Sequence, residues 1–409
     1  MNDDELVDQL RTTLRTQAGR ITSGPDAWER FVSGNVTAAR DRRRNRAIVP
    51  MAVIGIAAAV VIAFVALPRG HSRGVSVGAQ PPQTVPESTT TTTSVPAVGP
   101  PGGPVPAGFE AMSVTFVSAQ EGWVLGTAAS STAILRTRDG GHSWASIPAP
   151  PSTTLTTVRF ADRLDGWAYG PGLWSTHDGG ATWHTVAIPG AVQVSAVEAS
   201  AGSAQAAVFT DSAQVRMATS PIGTDSWAVA GMSIPVGGGP VPRAEIVLSG
   251  RSGWVVEVDR TVVGAAQLAG GRWTAWLPPC LDVQGPALLA ASSDTNVVAA
   301  CDVGLWASYQ GEHWYQRQSD GRFIDEGTVP VRHASAVATP VQGVVLVASD
   351  DGGIAATFDG GHTWSQVDPS PVEQLGFTTP TQGVAMTADH RLLMTVDGGH
   401  TWNQVTFSS

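Results

Sequence analysis

Along the C-terminal three-quarters of the chain, apolar runs such as Ala133-Ile-Leu135 and Leu392-Leu-Met394 end in a polar octapeptide and resume after it, as in Gln404-Val-Thr406. This is the pattern of two strands joined by a hairpin turn. The octapeptide is written four times, as Thr137-Arg-Asp139-Gly-Gly141-His-Ser143-Trp144, Thr176-His-Asp178-Gly-Gly180-Ala-Thr182-Trp183, Thr357-Phe-Asp359-Gly-Gly361-His-Thr363-Trp364 and Thr395-Val-Asp397-Gly-Gly399-His-Thr401-Trp402. Its residue types suit a turn. Asp accepts hydrogen bonds from backbone N–H groups further on, the Gly pair supplies positive φ, the hydroxyls fix more backbone, and Trp covers the turn with an apolar plate.

Weaker copies follow the same order: Ser308-Tyr-Gln310-Gly311-Glu-His-Trp314, Leu268-Ala-Gly-Gly271-Arg-Trp273 and Thr219-Ser-Pro-Ile-Gly223-Thr-Asp-Ser-Trp227. Closing tryptophans are thus expected at 144, 183, 227, 273, 314, 364 and 402. In phase with them runs a strand-opening pair, Gly122-Trp123, Gly166-Trp167, Gly253-Trp254, Gly343-Val344 and Gly383-Val384, with Asn296-Val297 and Gln205-Ala206 as variants. Seven units of about 40 to 50 residues result, all strand and no helix, the period of four-stranded propeller blades. The spacing predicts an all-β, seven-bladed β-propeller over residues 108–409.

What precedes the repeats has a different composition. Leu6, Leu10 and Leu14 stand at helical spacing among charges, and Ser23-Gly-Pro25 with Trp28 and Phe31 could begin a second helix, so residues 1–46 read as a short helical tail. It is either a docking helix or a plain juxtamembrane segment. Ala47 to Leu67 carries no charge over a length that spans a bilayer. Five Arg lie just before it within Arg40–Arg46, and only Arg69 and Arg73 soon after. The asymmetry predicts a single-pass signal anchor with a cytoplasmic N-terminus and an extracytoplasmic propeller at the cell membrane; the stretch before it is too long for a cleaved signal peptide. Residues 68–107, rich in Pro and with the run Ser88-Thr-Thr-Thr-Thr-Thr-Ser94, form a linker that cannot pack a core.

Charge narrows the partners. The chain has a formal net charge of −10, and the acidic excess lies in the repeats, which argues against nucleic-acid binding. Its two cysteines, Cys280 and Cys301, fall in adjacent blades outside the membrane, where a disulfide is favoured over two buried thiols.

The octapeptide resembles the Asp-box, or BNR repeat, of sialidases, sortilin-type receptors, xyloglucan-degrading glycosidases and photosystem II assembly and stability factor-like propellers. The last group is the most similar, through the order of strand, Gly-Trp and box in Phe160-Ala-Asp-Arg-Leu-Asp-Gly166-Trp-Ala-Tyr-Gly170 and Trp174-Ser-Thr-His-Asp178-Gly-Gly-Ala-Thr-Trp183. The resemblance implies a structural role for Asp139, Asp178, Asp359 and Asp397 with Trp144, Trp183, Trp364 and Trp402, in hairpins at the blade edge away from any active site. It does not imply catalysis. The sialidase Arg-Ile-Pro motif is missing, the three tyrosines Tyr169, Tyr309 and Tyr315 sit beside hairpins, and no carboxylate pair stands out for glycoside hydrolysis. No catalytic residue, cofactor or metal is therefore assigned. His142, His362 and His400 recur at one box position but on hairpins too far apart to share an ion, and Asp350-Asp351-Gly-Gly only echoes a calcium loop. The stretch from Tyr315 to His333, read as the longest insertion between blades, offers Arg317, Arg322, Asp325, Glu326, Arg332 and His333 for partner contact. The expected function is a non-catalytic protein-binding or assembly scaffold for an envelope or secreted protein. The alternative is a cell-surface glycan-binding module or glycoside hydrolase.

Overall fold

The computed structural model describes residues 102–236, 243–259, 261–279, 287–302 and 312–408. The expected tail, the membrane segment, the linker up to residue 101, Cys280, Tyr309 and residues 308–311 lie outside these. Among the described residues no helix is long and apolar enough to cross a membrane.

Seven four-stranded antiparallel sheets follow one another, each built from four consecutive strands. Blade one holds β1 (Glu110–Phe116), β2 (Gly122–Ala128), β3 (Ser131–Thr137) and β4 (Ala145–Ile147). Blade two holds β5 (Thr157–Phe160), β6 (Gly166–Tyr169), β7 (Leu173–Thr176) and β8 (His184–Val186). Blade three holds β9 (Ala191–Ser200), β10 (Ser203–Thr210), β11 (Gln214–Pro221) and β12 (Ala228–Pro235), and blade four β13 (Arg243–Ser249), β14 (Ser252–Asp259), β15 (Thr261–Ala269) and β16 (Arg272–Ala275). Blade five holds β17 (Ala287–Ala291), β18 (Val297–Asp302), β19 (Glu312–Arg317) and β20 (Phe323–Val329). Blade six holds β21 (Ala334–Ala338), β22 (Val345–Ser349), β23 (Gly353–Thr357) and β24 (Ser365–Asp368), and blade seven β25 (Val372–Phe377), β26 (Gly383–Thr387), β27 (Leu392–Thr395) and β28 (Asn403–Gln404). Each blade touches the next, and β1 touches β26, so the ring closes. The seven-bladed propeller expected from the repeat is the observed fold.

The core lies between blades. Seven clusters of buried residues each join two neighbouring sheets, for example Trp123, Leu125, Ile134 and Ile147 of blade one with Leu155, Val158, Phe160 and Ala168 of blade two. Most second and third strands are buried on both faces, as in the unbroken buried runs of β6, β22, β23 and β26. A sheet covered on both faces reads as a nearly continuous apolar segment, which is why these strands show little alternation. The glycine that opens the second strand has a steric cause. A Cβ at Gly166 would lie 2.5 Å from Phe160, and at Gly122 2.6 Å from Phe116. The last residue of the first strand folds back over the glycine and meets the box Trp edge-on, Phe160 against Trp183 at 6.1 Å and Phe377 against Trp402 at 6.2 Å.

Among the described residues no strand is exchanged to close the ring. Polar links across the seam do that work: Gln374 Nε2 donates to Met112 O at 3.0 Å, Gln382 Nε2 to Ala119 O at 3.1 Å, and Trp144 N–H to Ser408 O at 2.8 Å. The C-terminal tail adds Phe407, packed edge-on against Trp144 at 5.5 Å and Phe109 at 5.1 Å.

Candidate functional site

Each of the four boxes is one hydrogen-bonded knot. In blade one, Thr137 Oγ1 donates to Asp139 Oδ1 at 2.8 Å and accepts from Gly141 N–H at 2.8 Å. Asp139 also accepts from the backbone N–H of Ser143 at 2.9 Å and from its hydroxyl at 2.5 Å. Trp144 Nε1 donates back to Gly141 O at 3.1 Å. The Asp partners recur around Asp178, Asp359 and Asp397, and Trp402 Nε1 likewise donates to Gly399 O, whereas Trp183 Nε1 donates to Pro148 O at 3.0 Å. Partial burial disfavours the Asp139 carboxylate, but its hydrogen bonds outweigh this and lower its pKa to about 2. For Asp359 the Thr363 hydroxyl is the largest cause of a pKa of about 2, and for Asp397 the Thr401 bonds overcome burial to give about 2. A carboxylate with a pKa this low is a weak base, poorly matched to general acid–base work near neutral pH. The box histidines take part in the same knots, with His142 Nδ1 2.6 Å from Asp139 O and His362 Nδ1 2.7 Å from Asp359 O. His400 lies flat on Phe358 of the preceding blade at 3.7 Å.

Blade five departs from the expected pattern. Trp314 does not close a hairpin: it lies within the third strand, β19, and packs into the interface of blades five and six, edge-on to Trp364 at 6.3 Å. At the interface of blades four and five the buried core includes Trp254, and Trp276 and Phe323, 5.8 Å apart, pack against it half-buried. The stretch from Tyr315 to His333 is accordingly not an insertion between blades. Arg317 ends β19, Asp325 and Glu326 lie in β20, Arg322 ends a tight turn, and only Arg332 and His333 belong to the link into blade six. The apolar alternation of β20 is broken by Asp325-Glu326-Gly327, which is why it read as loop. Its side chains are tied locally, His313 Nδ1 to Asp325 at 2.9 Å and Arg322 Nε to Asp320 at 2.7 Å.

The closed ring gathers residues that the sequence keeps apart. Along the channel, Arg159 of β5 bonds Glu198 of β9 at 2.7 Å and donates to Val114 O of β1 at 3.3 Å. The channel walls desolvate the Arg159 guanidinium, which disfavours its charge, but Glu198 outweighs this and raises its pKa. Tyr169 beside them is raised by burial. Glu245 of β13 has Arg243 only at 3.7 Å, and desolvation by the walls raises its carboxyl although the side chain keeps 39% of its exposure. These groups line a cavity of about 370 Å³ with Gln374 and Ser335. Sequence reasoning missed them; the one signal was polar residues on first strands, such as Thr157 and Arg159 on either side of Val158.

At the rim, His333, Asp350 and Asp351 bring ligand atoms within 4.8 Å of one another, all exposed, with His333 Nδ1 2.9 Å from Asp351. This is the surface where the weak calcium echo lay. Between blades two and three, His177 bonds Asp165 at 2.6 Å and Asp225 at 3.0 Å, and Ser175 Oγ donates to Asp225 at 2.5 Å. Cys301 is buried in β18 and disulfide-bonded, and Cys280 is the only other cysteine in the chain.

The fold is a seven-bladed β-propeller, and its four hairpin knots resemble the Asp-box (BNR) repeat. Residues 105–265 match the family model described as photosynthesis system II assembly factor YCF48, the group that the box layout resembles. Among solved structures, YCF48 bound to a D1 peptide is similar at 20% identity over 72% of this chain and 95% of that one, TM-score 0.55. YCF48 from Cyanidioschyzon merolae is similar at 16% identity over 73% and 98%, TM-score 0.52. The BP39L lectin from Burkholderia pseudomallei shares the fold at 16% identity over 73% and 99%, TM-score 0.51. No curated protein matches by sequence.

Proposed function

We propose that this chain is a membrane-anchored, extracytoplasmic propeller that binds a peptide segment of another protein, as a non-catalytic assembly scaffold. The observation that carries this reading is the family match together with a peptide-bound structure of similar fold. The committed box carboxylates and the Arg159–Glu198 pair support it, since acid–base chemistry needs groups free to exchange protons. Anchoring through residues 47–67 rests on their lack of charge and the Arg run before them. A Cys280–Cys301 disulfide fits the same compartment. A photosynthetic client is not implied, because nothing in the sequence indicates that setting.

The test is a crosslinking pull-down with the full chain from envelope and secreted fractions, run beside a glycan array. One specific protein captured with no glycan signal is the expected result. Glycan binding without protein capture overturns the scaffold reading in favour of sugar recognition. Protease accessibility of the propeller in intact cells reports the topology, and full protection overturns it.

A further inference from the structure

The two ends of the channel differ in charge. Where the first strands finish, a cavity of about 600 Å³ is lined by hydroxyls and prolines, among them Ser200, Ser249, Thr378 and Pro380. Arg159 and Glu198, paired with each other, are the charged side chains among the described residues lining it. Where the first strands begin, a cavity of about 580 Å³ is lined by Glu312, Asp350 and Glu373, with Arg243 and His333 as the basic groups. It shares Arg243, Ser335, Glu373 and Gln374 with the cavity of about 370 Å³ further in, where Glu245 and Glu198 stand. From this mouth inward, carboxylates outnumber guanidinium groups. A cleft lined by one sign of charge focuses its field on whatever enters.

We propose that the charged mouth of the channel binds a cationic side chain, arginine or lysine, of the partner's peptide segment, received by Glu373 and Glu245. The inference rests on the protein-binding reading above and names the chemistry of the segment bound. Three observations carry it. First, both carboxyls have acceptor capacity to spare. Glu373 is exposed to the cavity, and its side chain makes no hydrogen bond or ion pair among the described residues. The Glu245 carboxyl has Arg243 only at 3.7 Å, and desolvation by the channel walls raises its pKa against the opposing pull of that arginine. A cation in direct contact supplies what Arg243 at that distance does not. Second, the two arginines are held differently. Arg243 keeps 59% of its side-chain exposure and is free to swing aside. Arg159 is fixed, bonded to Glu198 at 2.7 Å and donating to Val114 O and Val158 O. A fixed positive charge at that depth stops an entering cation, so the mouth is a blind site and not a conduit. Third, the walls are preformed. Beside Glu245, Ser195 Oγ donates to Ala244 O at 3.2 Å and accepts from Ala244 N–H at 2.9 Å. Beside Glu373, Gln374 Nε2 is bonded to Met112 O and Ser335 Oγ to Val372 O. Rigid walls lose little entropy when a ligand enters.

A long stem with a charge at its tip suits such a mouth, whereas a neutral or acidic tip would leave the carboxylates unpaired or repelled. A free polyamine presents the same cationic chemistry as a basic side chain, so the test must separate the two. Three variants probe the site without cutting into the core. Glu245→Gln and Glu373→Gln keep the shape and remove the charge. Arg243→Ala removes the resident cation that competes for Glu245, so its effect has the opposite sign.

The full chain in detergent micelles is titrated calorimetrically with a blocked pentapeptide of alanines around one central arginine, with its lysine and citrulline counterparts, and separately with spermidine. The arginine and lysine peptides are expected to bind and the citrulline peptide, neutral and of the same shape, is not. Each Glu→Gln variant should weaken binding by about tenfold, the loss of a charged hydrogen bond. Arg243→Ala should tighten it by about threefold, which a damaged fold cannot imitate. Equal binding of the citrulline peptide, indifference to both Gln variants, weaker binding by Arg243→Ala, or no binding of either basic peptide overturns the proposal. Spermidine bound where neither basic peptide is would assign the mouth to a free polyamine and likewise overturns it. If the pull-down captures its protein equally well with the Glu245→Gln/Glu373→Gln double variant, the mouth proposal falls while the scaffold reading stands; if wild type captures nothing, the scaffold reading itself falls.

Discussion

The four boxes allow one experiment to be run in fourfold replicate. Thr137, Thr176, Thr357 and Thr395 are buried, with 0–1% exposure, and each hydroxyl makes the same two bonds, donating to the box Asp and accepting from the second box Gly N–H. Valine has nearly the shape of threonine but neither donates nor accepts. Thr→Val therefore keeps the packing and leaves the Gly N–H, buried at Gly180 and Gly399 and half-buried at Gly141 and Gly361, without its acceptor. Leaving such a group unsatisfied costs about 1 to 3 kcal/mol, so about 2 kcal/mol per box is expected. In a domain of about 300 residues that is a fall in Tm of about 3 °C. Thr→Ser keeps the hydroxyl and loses one methyl, about 1 kcal/mol, so serine should be the milder change at every box. Scanning calorimetry of the eight single variants decides it. If three of the four valine variants melt within 1 °C of wild type, or serine proves worse than valine, the hydroxyl is not what holds the hairpin and the knot reasoning is wrong.

The His177 clasp makes blades two and three sensitive to pH. Burial disfavours its charge, but the bonds to Asp165 and Asp225 outweigh this and raise its pKa. The clasp's contribution is therefore complete below the ordinary histidine value of about 6.5 and is lost as pH rises through the raised one. Melting of wild type should weaken across that window relative to His177→Gln; parallel profiles would count against it. The box carboxylates act in the opposite sense, with folded pKa values of about 2 at Asp139, Asp359 and Asp397. Their contribution is present above about pH 4 and is lost towards pH 2, seen as an acid transition in near-ultraviolet dichroism that Asp397→Asn should shift upward. Gly166→Ala should cost about 1 to 3 kcal/mol, because its Cβ would stand 2.5 Å from Phe160; a melt unchanged from wild type would show the ring free to move aside. Phe407→Ala should loosen the seam beside Trp144, read as faster exchange of β1 amides with blade four unaffected.

Periodicity and turn chemistry made the architecture legible before any coordinates, because a box must bring Asp, two glycines, a hydroxyl and Trp within eight residues for its knot to close. The Gly-Trp pairs were legible for the same reason: the clash that requires Gly122 or Gly166 lies with a residue of the preceding strand, six positions away. Blade five shows where local pattern fails. Trp314 has box-like neighbours in sequence, yet it is placed by the blades it packs between, and β20 read as loop because Asp325-Glu326-Gly327 interrupts its alternation at an outer edge that needs no burial.

Apart from the polar residues flanking Val158, the channel was beyond the sequence. Arg159 and Glu198 are 39 positions apart, and the seam bond from Gln374 to Met112 spans 262. No spacing rule connects such residues; only closure of the ring does. The sequence by itself determined the blade, its hairpin and its count, all enforced by contacts within about ten residues. The tertiary structure alone decided what faces the channel and what seals the ring, because those depend on where seven blades meet.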